Sequence, residues 1–175
     1  MPTRADSTPS AAPSLAFQAG SGASRASYLQ ALRDMLLNLP VCHQLIWLDA
    51  DFVLWPLSDP AVLEALTQWA VPQRRVLMLG EDFDALRRAH PRFVSWRQRH
   101  DHVLQARLLN RDDGLVVVPG STCMAIGNGA LQLLDQRYWR WTYTRDSRVL
   151  HELKLEVDAL AQRCAETFPA STLGL

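Results

Sequence analysis

The chain lacks most of the features that would indicate a location or a chemistry. It has only three cysteines, Cys42, Cys123 and Cys164, which are far apart and odd in number. They predict no disulfide framework and suit a reducing compartment. No apolar run reaches the roughly 18 residues that a membrane span requires, and the N-terminus has no apolar core of the signal-peptide kind. We therefore expect a cytoplasmic protein that has no membrane partner.

The sequence also has no excess of charge of either sign. Its 18 basic and 18 acidic residues give a formal net charge of zero. A balanced charge argues against strong non-specific binding to nucleic acid or to anionic membrane, which disfavours nucleic acid as a partner. Hydrophobic residues make up 48% of the 175 positions, which is enough to bury a core in one domain.

Composition divides the chain into three segments. Residues 1–24 are mostly Ser, Ala, Pro, Thr and Gly, and they predict a disordered arm because they cannot bury enough apolar surface. Residues 25–168 carry helix and strand signals throughout and predict a single α/β domain. Residues 169–175 predict a C-terminal tail that is apolar enough to dock on the domain.

The first half of the domain alternates between helices and strands. Ser27 is expected to cap a first helix that Pro40 ends, and Asp59-Pro60 starts a second. Apolar runs predict buried strands at 44–51 and 75–80, and His90-Pro91 is expected to break a third helix into two pieces. The alternation indicates a parallel sheet with covering helices.

The second half predicts shorter strands and one long helix. Strands are expected at 102–109, 115–118, 122–126 and 138–144, with a turn at 127–129. Asp146 or Ser147 is expected to cap a long C-terminal helix whose apolar stripe Phe168 extends. The whole pattern predicts a mixed sheet covered by helices.

The most suggestive motif is Asp49-x-Asp51, at the end of the most apolar run. Alternation along a strand would place both carboxylates on one face, where they could hold a divalent cation. The stretch resembles the nucleophile strand of haloacid-dehalogenase-type phosphatases and the metal-binding strand of nucleotide-sugar glycosyltransferases. Both resemblances cover about ten residues. The phosphatase pattern also needs a lysine, and the one lysine here, Lys154, lies on the final helix. The alternative is that both acids bond neighbouring backbone or pair with arginine.

Two further groups of residues could bind a ligand. His100 and His102 have a spacing found in metal sites, but no third ligand stands at a matching offset, so we expect no metal and no cofactor. A basic stretch at 87–107 could hold a phosphate group or a nucleic-acid backbone. Its alternative is a solvated helix face with arginine stacked on Trp96. The candidate ligand-binding residues are Arg92, Trp96, Arg97 and Arg99, and the stretch also contains Arg87, Arg88 and Arg107.

The element order, together with the segment DDGLVVVPGSTCMAIGNG from Asp112, resembles one half of the phospholipase-D-like fold. In that superfamily a His-x-Lys motif begins a strand, an Asp-Gly turn follows, and a Gly-Ser pair ends a second strand. Here Asp112 stands at the histidine position, Gly114 at the lysine and Pro119 at the aspartate, and Gly127-Asn128 replaces Gly-Ser. The resemblance implies the fold without phosphodiester transfer, which needs the imidazole and the ammonium group.

Three longer segments are similar to a group of uncharacterised betaproteobacterial proteins. They are WPLSDPAVLEALTQWA from Trp55, HPRFVSWRQRHDHVLQAR from His90 and FPASTLGL from Phe168. This resemblance implies a family without an assigned activity.

The sequence thus favours a non-catalytic interaction or regulatory module with a phospholipase-D-like half topology. One alternative is a metal-dependent phosphate-handling enzyme that uses Asp49 and Asp51. The other is binding of a phosphate ligand or nucleic-acid backbone along 87–107. Because such half folds normally pair, a homodimer or another protein partner is also expected.

Overall fold

The computed structural model of the protein describes residues 20–110 and 120–169. These residues form one mixed sheet of eight strands and five helices. In chain order the elements are β1 (Gly20–Ala23), α1 (Arg25–Leu37), β2 (Gln44–Leu48), α2 (Pro60–Trp69), β3 (Arg75–Gly80), α3 (Phe83–Ala89), α4 (Pro91–Arg99), β4 (Leu104–Leu108), β5 (Thr122–Ala125), β6 (Gly129–Asp135), β7 (Arg140–Thr144), α5 (Ser147–Arg163) and β8 (Ala165–Thr167).

The strands lie in the order β1-β7-β6-β5-β2-β3-β4-β8. The central strands β2, β3 and β4 are parallel, and every other pairing is antiparallel. The prediction of a mixed α/β sheet covered by helices, with a long helix near the C-terminus, is therefore confirmed. Within the described ranges, every helix is too short or too polar to cross a bilayer.

The sheet separates two layers of core. Alternate residues of the parallel strands, such as Trp47 and Met78, pack with α1 to α4 on one face. Their neighbours Ile46 and Leu77 pack with α5 on the other face. Because both faces are covered, the strands are apolar throughout, as the sequence indicated for 44–51 and 75–80.

Local start and stop signals were predicted well. The side chain of Asp59 accepts the N–H of Ala61, with Pro60 at the first helical position, and Asp146 caps α5 in the same way. The chain also breaks between α3 and α4 at His90, as expected. The cap of α1 is different from the prediction: Ser24 accepts the N–H of Ser27, so the helix begins one turn earlier.

The two outermost strands were not predicted. Residues 20–23, assigned from composition to the disordered arm, form β1 and pair with β7. Such a strand is held by backbone hydrogen bonds, which Gly, Ser and Ala form as well as any residue, so its composition gives no signal. β8 follows α5 directly, and Phe168 lies beyond it with a φ of 51°, not on the helix stripe. The rest of the arm (1–19), the expected strand at 115–118 and the tail at 170–175 lie outside the described residues.

Candidate functional site

A cleft of about 630 Å³ opens at the carboxyl ends of the parallel strands. Asp49 follows β2, Glu81 follows β3, and Asn110 follows β4 at two residues' distance, and all three side chains line the cleft. Open α/β sheets bind their ligands at this edge. The other described residues that line it are Tyr28, Leu48, Ala50, Asp51, Val53, Leu54, Trp55, Leu109, Gly120, Ser121, Leu133, Leu134 and Gln136.

The carboxylate of Asp49 is engaged by three N–H donors. Its Oδ1 accepts the backbone N–H groups of Asp51 at 3.1 Å and Phe52 at 2.9 Å. Its Oδ2 accepts the indole N–H of Trp55 at 3.0 Å. Local bonds of this kind compete with a strand ladder, which explains why β2 ends at Leu48 and not at Asp51 as predicted.

Asp51 lies in the turn after the strand, so the two acids do not alternate along an extended backbone. Its Oδ1 accepts the N–H of Val53 at 2.9 Å. Between the acids and Val53, Phe52 adopts a φ of 57°, and its carbonyl oxygen lies 3.0 Å from Nε2 of buried His90. The turn is therefore stabilised by hydrogen bonds from its own N–H groups to Asp49 and by the contact of its Phe52 carbonyl with His90.

Ser121 joins the same network from β5's side of the cleft. Its Oγ accepts the hydroxyl proton of Tyr28 at 2.6 Å and the indole N–H of Trp55 at 3.2 Å. Burial raises the pKa of Tyr28 well above its usual value, so this phenol remains a neutral donor. This group could not be recognised from the sequence, because Tyr28, Trp55 and Ser121 come from three distant parts of the chain.

The structure places the two histidines of the expected pair in different surroundings. The ring of His100 stacks on Trp96 at 4.5 Å and its Nδ1 contacts the carbonyl of Trp96 at 2.9 Å, whereas His102 is exposed. Among the described residues, no three His, Cys, Asp or Glu side chains are arranged to hold a metal ion.

The basic stretch divides into buried and exposed arginines. Trp96 is 1% exposed and donates its indole N–H to Thr67, and Arg97 is 5% exposed and pairs with Asp101 at 2.5 Å. Both belong to the packing under α4, out of reach of a surface ligand. Arg92 and Arg99 are exposed on α4, and neither forms an ion pair with a described residue.

Of the remaining members of the stretch, Arg87 and Arg107 are half-buried and engaged, whereas Arg88 is exposed. Arg87 pairs with Asp84 at 2.5 Å and lies over the ring of Phe168. Arg107 donates to the carbonyl groups of Ala161 and Cys164 at the end of α5. Arg88 is exposed on α3.

Comparisons with known proteins give a likeness of fold alone. No family model matches the chain, and no curated protein matches it. Among solved structures, the fold is similar to that of TrmBL2, described as an archaeal chromatin protein whose structure shows a novel mode of DNA binding. The TM-score is 0.59 at 9% sequence identity, over 85% of this chain and 54% of the other. The chain thus spans about half the length of that protein.

Proposed function

We propose that the protein is a non-catalytic interaction or regulatory module with a phospholipase-D-like half topology, and that the cleft is a place of binding and not of reaction. A mixed sheet with a parallel centre and a long helix late in the chain supports this topology. At the positions of the superfamily's catalytic residues the sequence has Asp112, Gly114 and Pro119, which lie outside the described residues.

The state of the Asp49 carboxylate is the observation that carries the proposal. A carboxylate that must ligate a cation needs free lone pairs directed at the metal. Here N–H donors occupy three of the roughly four lone-pair sites of the carboxylate, two of them from the turn that the residue itself holds, which leaves one site on Oδ2. The acid therefore completes a local fold, which is a sufficient reason for its position at the mouth of the cleft.

Titration with Mg²⁺ or Mn²⁺ separates this proposal from a metal-dependent phosphate-handling enzyme. Trp55 donates to Asp49, so a cation that captured the carboxylate would change the tryptophan fluorescence. We expect no saturable change in the wild type. A saturable change that disappears in the Asp49→Asn/Asp51→Asn variant would contradict the proposal and favour the enzyme.

Binding of a nucleic-acid backbone or a phosphate ligand is a second candidate function. It is favoured by the exposed arginines Arg88, Arg92 and Arg99, none of which forms an ion pair with a described carboxylate. It is also supported by the likeness in fold to a protein whose structure is described as showing a novel mode of DNA binding. If α3 and α4 present the surface, the variant Arg88→Ala/Arg92→Ala binds duplex DNA more weakly and with less dependence on salt.

A further inference from the structure

Basic side chains, arginines and histidines, collect at the amino ends of the parallel strands, opposite the cleft. His43 directly precedes β2, Arg75 begins β3, and His102 lies two residues before β4. The register pairs Gln44 with Arg75 and Val76 with Leu104, so these three side chains lie along one edge of the sheet. All three are exposed.

The same edge continues through the antiparallel strands. Leu45 pairs with Ala125, and Ala130 pairs with Thr144. Arg145 therefore follows β7 at the level where β2 begins, and its Nε donates to the carbonyl of Asn128 in the β5–β6 turn at 3.2 Å. Arg99, the last residue of α4, and Arg74, the residue before β3, lie at the same end. We call this set, His43, Arg74, Arg75, Arg99, His102 and Arg145, the amino edge.

Two acids at this edge are already engaged. Asp101 pairs with buried Arg97 at 2.5 Å, and Asp146 caps α5 by accepting the N–H groups of Arg148 and Val149. No ion pair with a described carboxylate involves Arg75, Arg99 or Arg145.

Acidic residues concentrate at the opposite edge, where Asp49, Asp51, Glu81 and Asp82 follow β2 and β3. Arg137 and Arg163 also lie at that edge, so the separation of charge is partial, and a net charge of zero conceals an uneven distribution. A separation of this kind orients and attracts a charged partner even when the total charge is balanced.

We propose that the amino edge is a docking surface for the phosphate backbone of a nucleic-acid duplex. Strands in a sheet are spaced about 4.8 Å apart, so five intervals from β7 to β4 give a row of about 24 Å. Duplex DNA advances about 3.4 Å per base pair, so the row matches about seven base pairs. Guanidinium groups suit such a partner because they bind phosphate oxygens in a bidentate manner.

The neighbouring aromatic rings indicate which kind of nucleic acid would bind. Trp69 and Trp96, which lie under this end of the molecule, are 3% and 1% exposed. They cannot stack on unpaired bases, as sites for single strands require. The edge therefore contacts the backbone and reads no sequence. This inference rests on the second candidate function, binding of a nucleic-acid backbone, but assigns the binding surface to the sheet edge and not to α3 and α4.

Fluorescence anisotropy with a labelled duplex of about 20 base pairs, measured between about 50 and 200 mM salt, tests the inference. The edge variant is Arg75→Ala/Arg145→Ala, and Arg75→Ala/Arg99→Ala replaces it if loss of the Arg145 hydrogen bond impairs folding. The helix-face variant is Arg88→Ala/Arg92→Ala. The matched control is Arg137→Ala/Arg163→Ala, which removes the same charge from exposed residues at the opposite edge.

We expect the edge variant to bind about tenfold more weakly at about 50 mM salt, and its log–log salt slope to fall by about 2 because two phosphate contacts are lost. The helix-face and control variants should bind like the wild type. A loss confined to the helix-face variant would overturn this inference and leave the second candidate function standing. Absence of duplex binding by the wild type would overturn both. Equal losses in all three variants, or a preference for polyglutamate over the duplex, would also reject the amino edge as a nucleic-acid surface.

Discussion

Asp59 shows how a single side chain can serve two elements. It caps α2 and also accepts a hydrogen bond from Nε of Arg33 on α1 at 2.7 Å. The bond from Arg33, followed by the N–H of Ala61, lowers the pKa of Asp59. A carboxyl whose pKa is lowered by folding stabilises the native state above its unfolded pKa, and this contribution is lost as the pH falls through the folded pKa.

The pair of Arg33 and Asp59 should contribute a small, pH-dependent part of the stability. We expect Arg33→Met to lower the free energy of unfolding by about 0.5 kcal/mol near neutral pH, since the pair is partly exposed. The difference from the wild type should shrink below the ordinary carboxyl pKa of 3.8. Urea denaturation at several pH values measures it. Arg88→Met is the control, and a deficit that stays constant to the lowest pH would contradict the assignment.

At the scale of elements, the β5–β6 hairpin depends on two glycines for different reasons. Gly127 has a φ of 77° and open space around it, so glycine is favoured there by the backbone conformation and not by lack of room. A Cβ on Gly129 would lie 2.2 Å from the hydroxyl oxygen of Tyr143 on β7, so glycine is required there because a larger side chain would collide with Tyr143.

Substitutions at the two glycines distinguish backbone strain from steric collision. Gly129→Ala should lower the free energy of unfolding by about 2 kcal/mol, because a buried neighbour must move. Gly127→Ala should cost about 1 kcal/mol, and Gly127→Asn should cost less because Asn tolerates the left-handed region. Denaturant midpoints give the order. If Gly127→Asn were as damaging as Gly127→Ala, backbone strain would not be the cause.

Elements that are marked by local sequence signals could be predicted, whereas short strands that form only because they pair with a neighbouring strand could not. Asp59-Pro60 and His90-Pro91 restrict the backbone of their own neighbours, so the helix boundaries they set can be read directly from the sequence. β1 and β8 have three or four residues each and exist because β7 and β4 offer free edges. β6 was also missed, because its residues do not alternate strictly between buried and exposed: Gly129, Ala130 and Leu131 are all buried.

At the scale of the whole molecule, the candidate site could be predicted only in part. The sequence drew attention to Asp49 and Asp51, and the structure does place both in the cleft. It could not show that Trp55 and the turn engage Asp49, because hydrogen bonds depend on the path of the chain after β2. The same limit applies to charge, since a count of acids and bases contains no information on which end of the sheet each occupies. The homodimer expected from the half-fold topology stays a prediction, which sedimentation at micromolar concentration would test.

The central claim is that Asp49 holds the turn at the mouth of the cleft and is not a metal ligand. The free energy of unfolding of Asp49→Ala tests it most directly, with Asp51→Ala as the control because that carboxylate accepts one exposed N–H. We predict that Asp49→Ala lowers the free energy of unfolding by about 2–3 kcal/mol, because three hydrogen bonds to a charged acceptor disappear. Asp51→Ala should lower it by about 0.5 kcal/mol. Acids kept for catalysis are commonly neutral or destabilising to the fold, so an Asp49→Ala variant as stable as the wild type, or more stable, would contradict the account.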